Sequence, residues 1–294
     1  MSLPATATQR LLREAPALCD AIRAIHQRGW CDGTGGNFSA VLCQEPLAVL
    51  MAPSGVDKGS LQTADLIVVD GEGQVICGEG KASAETLLHL TIIQTTGAGA
   101  VLHTHSQAAT LLSQGPWANG CQELSSVHHP QAADLHPPFP SPQTHGPALQ
   151  TLEIQQRIPA QHPESARVHP PAALQPLEPC PEEGQTPTPP TLLGHLRLVG
   201  LEMLKGLEGI GSHTSVIAIP IFSNSQNMGQ LSRAALPHLG NAPFGVLIAG
   251  HGLYAWGDSL PQARRHLEIL EFLLEQHWRQ TLLNALLKTE TIHQ

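Results

Sequence analysis

Ala100-Val101-Leu102-His103-Thr104-His105-Ser106 is an apolar run that ends in His-x-His. In an extended chain residues i and i+2 share a face. His103 and His105 therefore project side by side from the end of one strand. Two such imidazoles can each hold a divalent transition metal at about 2.0–2.1 Å, and the ion then needs at least one further ligand. A second apolar run, Ile248-Ala249-Gly250-His251-Gly252-Leu253, also meets a histidine and offers that ligand. The chain has 17 histidines, so a satisfied core or surface histidine is the competing explanation for each. The motifs around these runs decide between the two.

Just before the His-x-His strand, Gly80-Lys81-Ala82-Ser83-Ala84-Glu85 opens a helix with Ser83 as its N-cap. Leu87, Leu88, Thr91 and Ile92 mark its buried face, and it ends near Gly97. Glu85 lies in the first turn, where a carboxylate also complements the helix dipole. His89, one turn on, reads as surface or packing.

Further upstream, Leu11, Ala15, Leu18, Ile22 and Ile25 step by three and four along one helix face. Pro16 within that helix predicts a kink or a fresh start. Then comes Gly33-Thr34-Gly35-Gly36-Asn37-Phe38-Ser39, whose glycines permit positive φ and close approach of a ligand. Successive N–H groups in such a turn can form an anion nest, although a plain tight turn has the same composition. Leu47 to Met51 reads as a strand running into Pro53-Ser54-Gly55-Val56-Asp57-Lys58-Gly59, a turn that carries a hydroxyl and a cation. Leu66–Val69 and Gln74–Cys77 pair as a hairpin.

After Ser113 the composition changes. Between Gly115 and Pro190 fall 17 of the 25 prolines, with many Gln and His and no periodic apolar face. Proline at that density sustains neither helix nor ladder. Residues 115–191 read as a low-complexity insertion, with Leu149 to Ile158 as one short helical run. Order returns at Leu192, with strands at Leu196–Val199, Val216–Phe222 and Gly245–Ala249 and a helix at Gln226–Leu236. Glu202 lies between apolar Leu201 and Met203, a setting that predicts a buried carboxylate with a raised pKa. Ser259 caps the last helix, with Pro261 in its first turn and Gln262 completing a capping box. Ala263, Leu267, Leu270, Leu274, His277 and Thr281 line one face of that helix, which runs to about Leu287. Residues 1–114 and 192–294 are then one discontinuous domain. Hairpins alternate with helices, which favours a mainly antiparallel sheet with helices on its faces over a doubly wound parallel sheet.

The net charge of −9 and the absence of a basic run argue against a nucleic-acid surface. The six cysteines are scattered without CxxC pairs, as free thiols in a reducing compartment would be. There is no signal-like N-terminus and no apolar run of about 18 residues. The expectation is a cytoplasmic protein without a membrane segment.

Taken in order, the glycine loop, Pro53-Ser54-Gly55, Ser83-Ala84-Glu85, His103-Thr104-His105 and Gly250-His251-Gly252-Leu253 resemble the class II aldolase/adducin superfamily. Met51–Gly59, Gly80–Thr86, Gly97–Ser106, Glu202–Leu207 and Gly250–Trp256 are similar to its methylthioribulose-1-phosphate dehydratase branch. The resemblance covers roughly residues 8–114 and 192–285. It implies a three-layer α/β/α fold and a homotetramer with active sites between subunits. It also implies one zinc ion per subunit, held by His103, His105 and His251. The substrate would be a small sugar phosphate. Thr34, Gly36, Asn37, Ser54, Gly55, Ser83 and Lys58 would bind it, most of them through its phosphate. Where the aldolases carry a second hydroxyl before the glutamate, this chain has Ala84. Glu85 matches the aldolase acid/base, and Glu202 matches the acid/base of the dehydratases. Glu202 is taken as the principal one and Glu85 as the second. The reaction implied is dehydration, with aldol cleavage, 4-epimerisation and a non-catalytic adducin-like module as alternatives.

Overall fold

The computed structural model describes residues 5–115 and 188–291. The insertion read at 115–191, including its short helical run and its histidines, lies outside the described residues apart from its two ends. In chain order the elements are α1 (Ala5–Gln27), β1 (Asn37–Gln44), β2 (Leu47–Met51), β3 (Ile67–Asp70), β4 (Val75–Cys77), α2 (Thr86–Thr96), β5 (Ala100–Thr104) and α3 (Gln107–Leu112). They continue with β6 (Leu192–Leu198), β7 (Ile217–Phe222), α4 (Met228–Leu239), β8 (Gly245–Ile248), β9 (Gly252–Gly257) and α5 (Leu260–Thr291).

The nine strands form one sheet in the order β4-β3-β2-β1-β5-β9-β8-β7-β6. Every neighbouring pair is antiparallel except β7 with β8. Strand alternation divides the apolar residues between two faces. Ala100 and Leu102 of β5 pack into one core with Leu18 and Ile22 of α1 and Leu267 and Leu270 of α5. Val101, between them, faces the other core, with Leu88 and Ile92 of α2 and Leu231 of α4. The expected α/β/α sandwich around a mainly antiparallel sheet is the fold of the described residues. At about 25 cal/mol per Å² of apolar area, burying both faces is the main favourable term in its stability.

Some local expectations shift. Helix α1 runs through Pro16 in a single span. Pro16 and Leu12 are both exposed, so the carbonyl that loses its helical partner can be hydrated. Helix α2 begins three residues after Ser83, with Glu85 at its N-cap. Ser83 instead accepts the Glu85 N–H at 3.3 Å, in the turn before the helix. Helix α5 starts as expected: the Gln262 N–H reaches Ser259 Oγ, while the Gln262 side chain accepts the Asp258 N–H. The helix continues to Thr291, and its buried face stops at Leu274. Cys19, Cys31, Cys43 and Cys77 are free thiols. No described helix is long and apolar enough to cross a membrane.

Candidate active site

Strand β5 is central, and its end carries the site. It pairs with β1 through Asn37↔His103 and with β9 through His103↔Tyr254. His103 is fully buried, and its ring stacks on Tyr254 with centroids 3.8 Å apart. His105 lies just beyond the ladder, with its N–H on the Trp30 carbonyl at 2.7 Å. His251 occupies the tight turn between β8 and β9. These three rings converge: His103 Nε2 lies 2.8 Å from His105 Nε2 and 3.4 Å from His251 Nε2. Glu85, at the start of α2, joins them with Oε1 2.9 Å from His251 Nε2 and 3.7 Å from His103 Nε2. Among the described residues, Glu85, His103, His105 and His251 form a group whose ligand atoms all lie within 4.8 Å of one another.

The donor set fits a divalent cation on its own chemistry. His103 Nδ1 lies 2.9 Å from the Leu253 carbonyl. A carbonyl only accepts, so Nδ1 carries the proton and Nε2 presents its lone pair. That lone pair points into a nest of other nitrogens and a carboxylate oxygen. Burial, more than the neighbouring charges, pushes His103 well below the usual histidine range and lowers His105 too. Burial alone would raise Glu85, but His103 and His251 outweigh it and hold its carboxyl at about 2. Burial thus disfavours the protonated forms of His103 and His105, which suits a transition metal, because its ligands must be free of their protons.

Next to this cluster is a cavity of about 130 Å³ lined by Thr34, Gly35, Gly36, Asn37, Pro53, Ser54, Gly55, Lys58, Ser83, Glu85 and His105. All seven residues expected to bind the substrate lie on its wall. Lys58 is buried, with Nζ donating to the Val56 carbonyl at 3.1 Å and the Thr34 carbonyl at 3.4 Å. Burial lowers its pKa. Asn37 is buried, and its Nδ2 has no hydrogen-bond partner among the described residues. Gly36 has φ +76°, and a Cβ there would come within 2.9 Å of both the Cys31 Cβ and the His103 carbonyl. The loop thus lies close against the end of β5 because position 36 carries no side chain.

Gly252 serves the same end from the other side, since a Cβ on it would collide with the Thr104 carbonyl. Alanine at Gly252 is expected to destabilise the fold by at least about 2 kcal/mol, because neither central strand can yield. A thermal melt of the metal-free variant within a degree of the unsubstituted chain would contradict this.

Glu202 is not part of the group. It lies on a short 3-10 turn, Glu202–Gly206, that turns Leu204 inward and leaves Glu202 exposed. Its carboxylate pairs with Lys205 at 2.5 Å and lies 3.9 Å from His213 Nδ1. The hydrogen bond from Lys205 holds its pKa below the usual carboxylate value. The expected buried, proton-holding environment is therefore corrected: flanking apolar residues do not bury the residue between them in a turn of this period. His89 is a packing residue, fully buried with Nδ1 2.8 Å from Ser39 Oγ. Tyr254, which no local motif marks, is positioned by cross-strand register opposite His103.

The sheet, its helices and the three-histidine, one-glutamate cluster define a class II aldolase-type protein. The family profile described as "Class II Aldolase and Adducin N-terminal domain" matches residues 16–173 and 195–278, and the chain belongs to this family. Within it, the chain is 32% identical over 269 residues to the methylthioribulose-1-phosphate dehydratase of Stenotrophomonas maltophilia, covering 91% of each chain. It is also 32% identical to the protein of that name from Pseudoalteromonas translucida, covering 87% of this chain and 86% of the relative. Among solved structures, the L-fuculose-1-phosphate aldolase of Thermus thermophilus superposes with a TM-score of 0.55 at 18% identity. That match covers 93% of this chain and 98% of the aldolase, and it supports the fold.

Proposed function

We propose that this chain is a hydro-lyase that removes water from 5-methylthioribulose 1-phosphate to give 2,3-diketo-5-methylthiopentyl 1-phosphate, a step of methionine salvage. The observation that carries this reading is the convergence of three imidazoles and Glu85 beside a cavity lined by Gly35, Gly36, Gly55 and Lys58. The dehydratase name of relatives that match over most of the chain supports this choice of reaction. His103, His105 and His251 would hold one zinc ion per subunit. When bound, such an ion acts as a Lewis acid for charge developing on a sugar ketone.

The chain's own residues do the rest. Thr34, Gly36, Asn37, Ser54, Gly55, Ser83 and Lys58, all on the wall of the cavity beside the cluster, hold the phosphate and so fix the position of the sugar carbons. A carboxylate takes the proton from C3. Hydroxide leaves C4 and is protonated to water, and the resulting enol tautomerises to the diketone. Glu85 is the carboxylate this chain offers at its own cluster. Glu202 remains the proposed principal acid/base, acting as a residue presented to the site of a neighbouring subunit. The proposed homotetramer with sites between subunits is what that role requires. It is supported by the exposed Leu282, Leu283, Leu286 and Leu287 near the end of α5. Residues 1–114 and 192–294 act as one discontinuous domain in this reading, supported by the single sheet that draws strands from both. A cytoplasmic location belongs to the same proposal.

The test is a substrate panel. Loss of water from 5-methylthioribulose 1-phosphate is expected. Release of dihydroxyacetone phosphate from fuculose 1-phosphate, with no dehydration, would instead favour the aldolase reading that Glu85 keeps open. Lys58→Met is expected to raise KM for the phosphorylated substrate about tenfold or more, since a charge-assisted hydrogen bond contributes about 1.5–3 kcal/mol. A KM within twofold of the unsubstituted enzyme would remove Lys58 from the phosphate site.

A further inference from the structure

Glu271 of α5 interrupts an apolar helix face. Leu267, Leu270, Leu273 and Leu274 around it are all buried, and Glu271 itself is 2% exposed. A carboxylate in such a place costs several kcal/mol unless each oxygen is satisfied, and a leucine would pack there more favourably. Both oxygens are satisfied by the metal strand. Thr104 Oγ1 donates to Oε1, and Ser106 Oγ donates to Oε2 at 2.5 Å. Thr104 and Ser106 alternate with His103 and His105, so Glu271 holds the back of the segment whose front carries the imidazoles.

That segment needs holding. The β5–β9 ladder ends at Thr104↔Leu253, and the β1–β5 ladder ends at Asn37↔His103. Beyond them, His105 has one backbone tie, its N–H to the Trp30 carbonyl. Ser106 Oγ, fixed by Glu271, also accepts the Ala109 N–H at 3.1 Å and so caps α3. One side chain thus clamps the two residues that flank His105 and anchors the helix that follows.

We propose that Glu271 is a positioning residue for the metal centre: by bridging the Thr104 and Ser106 hydroxyls, it sets the direction in which His105 meets the ion. This rests on the reading that His103, His105 and His251 hold a divalent metal. The experiment uses the full-length chain, stripped of metal and titrated with Co²⁺, whose visible absorption reports ligand geometry. Glu271→Gln keeps the shape but cannot accept from both hydroxyls. It is expected to weaken Co²⁺ binding about tenfold, the lower end of what supporting residues contribute, and to shift the absorption bands. Glu275→Gln, one turn along the helix and paired with Arg279 at 2.7 Å, is expected to change neither.

If Glu271→Gln does not fold, Thr104→Val removes one of the two donors with little change in shape, and is expected to move the same bands. A folded Glu271→Gln or Thr104→Val with unchanged affinity and spectrum overturns the proposal. An unsubstituted chain that binds no Co²⁺ overturns the metal reading beneath it, which is a distinguishable result.

Discussion

Alanine at His251 is expected to abolish stoichiometric metal binding and to lower kcat/KM by about a thousandfold or more. His251 is the cluster's residue from the β8–β9 turn, and its Nε2 lies 2.9 Å from Glu85 Oε1, against 3.7 Å for His103 Nε2. Removing it breaks the three-histidine set that would leave one position open on a catalytic zinc, and leaves two imidazoles on one strand end with Glu85, whose carboxylate would have to fill a ligand's place instead of acting on the substrate. A Lewis acid contributes several kcal/mol to transition-state stabilisation, and each 1.36 kcal/mol is a factor of ten. Losing about 4 kcal/mol gives the thousandfold expected here. The fold should survive, because His251 sits in a turn and is only partly buried. Elemental analysis of the purified variant, with its melting curve, checks both halves. A variant that keeps about one zinc per chain and most of its activity would remove His251 from the metal site.

What the sequence made legible follows from period. The apolar run Ala100–Leu102 marks a strand, and its period of two places His103 and His105 on one side; that this strand is central emerges only from the sheet order. Glu271 was legible in principle as a charge where the α5 pattern calls for an apolar residue, because buried carboxylates are rare unless paired. The apolar face through Ala263, Leu267, Leu270 and Leu274 passes beside it. Tyr254 became significant only through register, since nothing local says that it lies opposite His103. Glu202 failed for the opposite reason: a 3-10 turn has three residues per turn and faces outward where flanking hydrophobicity suggests burial.

Glu85→Gln and Glu202→Ala are expected to fail in different ways, and the difference decides who moves the proton. Glu85 touches the cluster, so its amide variant should lose both metal affinity and rate. Glu202 is bound to Lys205 and away from the cluster, so Glu202→Ala should keep its metal and lose about 10²–10⁴ in kcat, the range for a positioned acid/base. Its exposure then carries a stronger consequence. If Glu202 works in a neighbour's site, mixed tetramers of Glu202→Ala and His251→Ala chains contain some sites with an intact histidine set from one chain and an intact Glu202 from the other. Co-expression of two inactive chains should therefore recover activity. If Glu202 served its own chain's cluster, every site in the mixture would lack one of the two groups and no activity would return. A Glu202→Ala enzyme with an undiminished rate would leave Glu85 as the sole carboxylate for the reaction, and the exposed 3-10 turn would have no part in it.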